Sequence, residues 1–149
     1  MSHFTELRVE DGLKVVRDHP LDLEVLKLTA EEVGAKVLTS KEVSTVAGAG
    51  VTTSVGPQDL VLRFTGVGRD LLLRKTGNAY TPVADLWGSE GSQLRKRWDE
   101  FSEKFAVKKV QLAVQYAVTA ARRKGLNVKV SATHVDEKTG RVAVRLAVL

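Results

Sequence analysis

A chain of 149 residues, 43% of them hydrophobic, is long enough to bury a real core, and one domain over residues 1–149 is the expectation. The absence of cysteine excludes a disulfide scaffold, a thiolate zinc site and a cysteine nucleophile. The net charge of +5 is uneven: residues 1–59 carry six basic and ten acidic side chains, whereas residues 95–124 carry nine basic and three acidic.

The first elements are short. Residues 3–9 alternate imperfectly and read as a strand, followed by a turn at residues 10–12. Leu13, Val15 and Val16 fit a short strand or an extended approach. Pro20 suits the first turn of a helix. Leu23, Leu26, Ala30 and Val33 then follow at helical spacing, and Gly34 is a natural stop. Asp22 and Glu24 fall in the first turn, where the helix dipole favours them. Residues 36–39 and 43–47 read as strands, and the glycine-rich residues 48–57 as a loop or an edge hairpin. Residues 60–64, 71–74 and 80–84 continue as an antiparallel meander, with a hairpin connection at residues 75–78.

The second half of the chain is dominated by helix. Ser89 or Ser92 is a suitable cap for a segment starting near Gln93, and Leu94, Trp98, Phe101 and Phe105 share a face. Residues 105–124 read as the spine of the core. Val107, Val110, Val114, Ala117 and Ala121 recur at steps of three and four, and only the line Lys108, Gln111, Gln115, Thr119 and Arg122 is polar. Most of this helix is therefore expected to be buried. Whether it joins the preceding segment without a break is left open by the pattern. Gly125 ends it. Val128, Val130 and Ala132, then Val142, Val144, Leu146 and Val148, alternate with polar or small residues as two half-buried antiparallel strands.

Chemistry-bearing candidates are few. The stretch GAGVTTSVG lacks the following helix and the Lys-Ser or Lys-Thr pair of a phosphate loop. His3, His19 and His134 have no metal-ligand spacing, although His3 and His134 could meet if the first and last strands are neighbours. Asp85, beside Trp87, is a weak acid–base candidate because no second carboxylate lies near it in sequence. No catalytic residue, metal or cofactor is therefore expected, with His3 and Asp85 the nearest to candidates. The cations Arg95, Lys96, Arg97, Arg122, Arg123 and Lys124 form the binding candidate, since basic side chains neutralise phosphate or acidic protein surfaces. Trp98 lies on the apolar face, so it is expected in the core and not as a stacking platform. The bland reading of the cations is a solvated helix surface, with Arg122, Arg123 and Lys124 placed to complement the helix dipole.

Several of these segments together resemble the hypothetical chloroplast reading frame thirty-five proteins of plastids, cyanobacteria and other bacteria. The likeness rests on the opening Met1-Ser2-His3-Phe4, the segment from Tyr80 through Val83-Ala84-Asp85-Leu86-Trp87, the helix carrying Gln115-Tyr116-Ala117, and the Gly125 and Gly140 turns before a Val-rich strand. It covers the first few residues and roughly residues 77–149. Trp87 stands alone where the family often has two or more aromatic residues, and Leu126 replaces a usual aromatic residue. The resemblance implies an accessory or adaptor role beside an AAA-type ATPase and no established activity.

The combined expectation is an α+β fold: a mostly antiparallel sheet with helices on one face. In function it is a basic accessory domain that binds another protein, an AAA-type ATPase among the candidates, or its own copies. The alternative is a nucleic-acid-binding module. No apolar run approaches the roughly 18 residues that span a bilayer, and residues 1–12 lack the order of a secretory signal. No membrane association and a cytoplasmic location are expected.

Overall fold

The computed structural model describes residues 2–149; Met1 of the opening motif lies outside them. In chain order the elements are β1 (Thr5–Glu6), a 3-10 turn (Gly12–Lys14), β2 (Val16–Arg17), α1 (Pro20–Val33), β3 (Ala35–Thr39), β4 (Thr45–Ala47), β5 (Thr52–Ser54), β6 (Leu60–Phe64), β7 (Leu71–Thr76), β8 (Ala79–Ala84), α2 (Gly88–Arg123), β9 (Val128–Val135) and β10 (Val142–Val148). The fold is α+β, as expected. One antiparallel sheet has the order β1-β8-β7-β6-β3, with β2 also paired to β8. The hairpins β4–β5 and β9–β10 form two separate two-stranded sheets.

The sheet is covered on both faces. Successive residues of a strand point to opposite sides, so Leu62, Phe64, Leu71 and Leu73 face α1 and α2, while Val61, Leu72 and Val83 meet Val46 of β4. Two-sided burial explains why Leu71-Leu72-Leu73 is continuously apolar and does not alternate. On the helical face, Phe101 stacks between Trp98 and Phe105, at centroid distances of 5.7 and 6.1 Å, and meets Phe64 edge-on at 6.3 Å. Trp98 is a core residue, as its position on the apolar face requires.

Helix α1 has the predicted limits. His19 Nδ1 accepts from the Leu21 amide at 3.2 Å, and Gly34 takes the left-handed conformation, φ 73°, that ends the helix. Arg97 of α2 then donates to the last-turn carbonyl of Val33 at 2.7 Å and to Thr65 O at 2.8 Å.

Helix α2 departs from expectation in three ways. It runs unbroken through 36 residues from Gly88, with no side-chain cap at Trp87, so neither Ser89 nor Ser92 is its cap. Its burial is concentrated between Gly91 and Ala113, not in residues 105–124. Of the line expected to form the spine, none is fully buried: Val107 is 59% exposed, and Val110, Val114, Ala117 and Ala121 are half-buried. The physical reason is reach. The sheet spans only the first half of a helix about 54 Å long at 1.5 Å per residue.

Shorter corrections apply at the N-terminus. Of residues 3–9 only Thr5–Glu6 pair as strand, and Gly12–Lys14 is a helical turn capped by Asp11. In β9–β10 the alternation is broken by a bulge. Arg145 pairs with Ala132 and Leu146 with Val130, which leaves Ser131 as the extra residue. Cross-strand partners share a face, so Val128, Val130, Thr133 and Val135 join Val142, Val144, Leu146 and Val148. Ala132 is therefore on the opposite face from the one its sequence alternation gave.

Candidate interaction surface

Asp85 directly follows β8, inside a closed polar cluster. Its Oδ2 accepts from Ala49 N at 2.8 Å and from Ser2 Oγ, its Oδ1 accepts from Trp87 N at 3.1 Å, and Arg69 Nη1 lies 3.6 Å away. Arg69 also donates to the carbonyls of Asp85 and Trp87, at 3.0 and 2.5 Å. Burial alone would raise the Asp85 pKa, but the hydrogen bonds from Ser2, Ala49 and Trp87, with the Arg69 charge, outweigh it and hold the carboxyl below its ordinary value. Both carboxylate oxygens are committed, and their work is to pin the β4–β5 hairpin and the entry to α2. Trp87 itself is 55% exposed, and Tyr80 sits at the other end of β8, about five residues or 16 Å of strand from Asp85. The three motif residues do not form one cluster.

The topology does not bring the histidines together. His3 precedes β1, which pairs with β8, whereas His134 lies on β9 in a separate sheet. His19 is committed to capping α1. Among the described residues, no group of three His, Asp or Glu side chains could hold a metal ion. An open cleft of about 660 Å³ beside the N-terminal turn is lined by Arg8, Asp11, Lys14, Arg95, Asp99 and Glu103 among others. Its charges largely pair with one another: Lys14 with Glu103 at 2.7 Å and Arg95 with Asp99 at 3.4 Å.

One buried ionic site was not legible as a site. Lys109 Nζ is fully buried, 2.9 Å from Asp22 Oδ2 and 3.0 Å from the Val15 carbonyl. Arg17 grips the other side of Asp22, Nη2 to Oδ1 at 3.0 Å. Burial lowers the Lys109 pKa; Asp22 opposes this without cancelling it. Asp22 lies in the first turn of α1, as expected, but is fully buried there. The available signal was Lys109 itself, four residues beyond Phe105 on the apolar line of α2, where a cation demands a buried anion. The site joins β2, α1 and α2 beside Gly140, a buried glycine with φ 72° in the β9–β10 turn.

Residues 107–149, which include Lys109 and Gly140 of this joint, form an arm: the second half of α2 with the β9–β10 hairpin packed on it. Six of the eight large apolar side chains left exposed among the described residues belong to it: Val107, Tyr116, Leu126, Val130, Val148 and Leu149. The arm is also strongly basic, with nine Lys or Arg against two Asp or Glu, while residues 1–106 carry fourteen against sixteen.

The six candidate cations divide accordingly. Arg97 is spent on the end of α1 and lies over the Phe64 ring, Arg95 pairs with Asp99, and Lys96 is exposed. Arg122, Arg123 and Lys124 are exposed at the far end of the arm and make no ion pair among the described residues. The two triplets are separated by about 27 residues of helix, or about 40 Å, so they are not one patch. Among the described residues no helix is long and apolar enough to cross a membrane, α2 included. Comparison with family models, curated proteins and solved structures gives no match.

Proposed function

We propose that the chain is a non-enzymatic accessory domain that binds protein through its arm, with the β9–β10 hairpin as the partner-docking element. The observation carrying this reading is the concentration of exposed apolar side chains on the arm. Scattered exposed apolar residues are ordinary, but a cluster rimmed by charge marks an interaction surface. A two-stranded hairpin also keeps unpaired edges that a further strand can join. The arm's net positive charge favours a partner with an acidic rim around an apolar centre. The family resemblance makes an AAA-type ATPase the first candidate to offer it.

The same charge supports nucleic acid as the second reading. Protein is preferred because five of the arm's six large exposed apolar side chains, Val107, Leu126, Val130, Val148 and Leu149, are aliphatic. The arm's one exposed aromatic ring, Tyr116, is tied through its hydroxyl to Glu24 of α1, which leaves no stacking platform.

Cross-linking through lysine followed by mass spectrometry tests the reading on captured partners. Cross-links are expected at Lys129 and Lys138 of the hairpin, and Val130→Asn with Val148→Asn is expected to abolish them. Cross-links confined to residues before 107 would overturn it. Tight, salt-sensitive binding of DNA or RNA that requires Arg122, Arg123 and Lys124 would replace it with the second reading.

A further inference from the structure

A groove of about 420 Å³ opens beside the buried joint, where three distant segments converge. β2 contributes Arg17, the β7–β8 turn contributes Asn78 and Ala79, and the β9–β10 turn contributes Lys138, Thr139 and Arg141. Val15, whose carbonyl accepts from buried Lys109, also lines it. Every charged residue lining the groove is a cation. The acids nearest to them in sequence are committed elsewhere: Asp136 to the Lys138 and Thr139 amides, Glu137 to the Gly12 amide, and Asp18 to Lys75 at 3.1 Å.

The joint itself is short of negative charge. Lys109 and Arg17 share the single carboxylate of Asp22: Oδ1 accepts from Arg17 Nε and Nη2, and Oδ2 from the Arg17 amide and Lys109. A buried charge calls for a counter-charge, and here two cations have one carboxylate between them. Asp11, the other acid whose charge reaches Lys109, is exposed and caps the 3-10 turn. Arg17 Nη1 makes no hydrogen bond among the described residues, although the side chain is only 15% exposed. Lys138 and Arg141 form no ion pair among the described residues.

We propose that this groove is a phosphate-binding site, taking the phosphomonoester group of a small ligand between Arg17, Lys138 and Arg141. Such a group carries a charge near −2 at neutral pH and three strong acceptor oxygens. It supplies the anion that the joint lacks and gives Arg17 Nη1 a partner. Guanidinium groups present paired N–H donors that match its oxygens. A carboxylate brings one charge and two oxygens, fewer than three cations and two neutral donors call for. Thr139 Oγ1 accepts from the Arg141 amide at 3.3 Å, so its O–H remains free to donate, and Asn78 adds its amide. Val15 and Ala79 offer an apolar wall to the body that carries the phosphate. Arg17 belongs to the sheet, and Lys138 and Arg141 belong to the arm, so the bound group ties one to the other. This site goes beyond the docking role of the arm and does not depend on it.

Isothermal titration calorimetry on the full chain at fixed ionic strength tests it, with inorganic phosphate and phenyl phosphate as probes. Binding is expected with a dissociation constant below about 1 mM. Tighter binding of phenyl phosphate identifies a phosphomonoester lying against Val15 and Ala79; equal affinity keeps the site and assigns it to free phosphate. Lys138→Glu and Arg141→Glu are each expected to weaken binding at least about tenfold, with an unchanged circular-dichroism spectrum. Arg17→Lys keeps a cation beside Asp22 but removes the guanidinium fork, and is expected to weaken binding as well. Lys41→Glu makes the same change of net charge at an exposed residue outside the groove, and is expected to leave the affinity unchanged. No binding of either probe up to about 10 mM, or binding that the groove substitutions weaken no more than Lys41→Glu does, would overturn the proposal.

Discussion

The two halves of α2 have similar helical apolar patterning and different fates. In the first half, Leu94, Trp98, Phe101 and Phe105 are buried against β6, β7 and α1. In the second, Val107, Val110, Val114, Ala117 and Ala121 keep the same spacing without full burial. The pattern states which residues must leave water. It does not state whether this chain or another supplies the cover. Lys109, Asp22 and Arg17 mark the boundary, an ionic joint beyond which the sheet no longer reaches the helix.

The largest test of this division compares truncations across it. Phe101→Ala should cost about 3–5 kcal/mol in urea denaturation. Val107→Ala and Val118→Ala, measured where the chain is monomeric, should stay within about 0.5 kcal/mol. Comparable losses on the two sides would break the comparison. At the joint, Lys109→Met leaves Asp22 buried with one cation fewer and should cost about 3 kcal/mol. Asp22→Leu combined with Lys109→Met should cost clearly less than the sum of the single losses, because the two charges are coupled.

A smaller effect tests the sheet side by pH. The Asp85 pKa is lowered on folding, so its stabilisation is present above the unfolded carboxyl value of about 3.9 and is lost as pH falls through the lower folded value. Asp85→Asn should therefore lower the melting temperature at neutral pH, at a cost of about 1–3 kcal/mol. The gap to wild type should close as the solution is acidified through that range. A gap independent of pH would mean that the carboxylate charge is not what the cluster uses. The smallest expected effect is at the tip of the arm. Arg122→Ala with Arg123→Ala should leave monomer stability within about 0.5 kcal/mol, whatever it does to association.

These contrasts also show what the sequence could disclose. Local signals were sufficient for α1, with Pro20 and Gly34 at its ends, and for the β6–β7–β8 meander. The expected sheet with covering helices followed from them. Long-range partners were not legible. Nothing local distinguishes Asp22 as the anion for Lys109, 87 residues away, and nothing announces that Ser131 inserts a bulge that carries Thr133 and Val135 to the apolar face. The cations near Arg95 and Arg122 looked like one group because helix length is invisible in composition. The apolar line from Val107 was expected to be buried, but Val107 is exposed and Val110, Val114, Ala117 and Ala121 are covered only in part.

The division of α2 is tested most directly by amide hydrogen exchange along the helix. Backbone amides between Leu94 and Ala113, the stretch that carries the helix's buried side chains, are expected to exchange at least about tenfold more slowly than those between Gln115 and Arg123, where no residue is fully buried. Equal protection in the two stretches would contradict it.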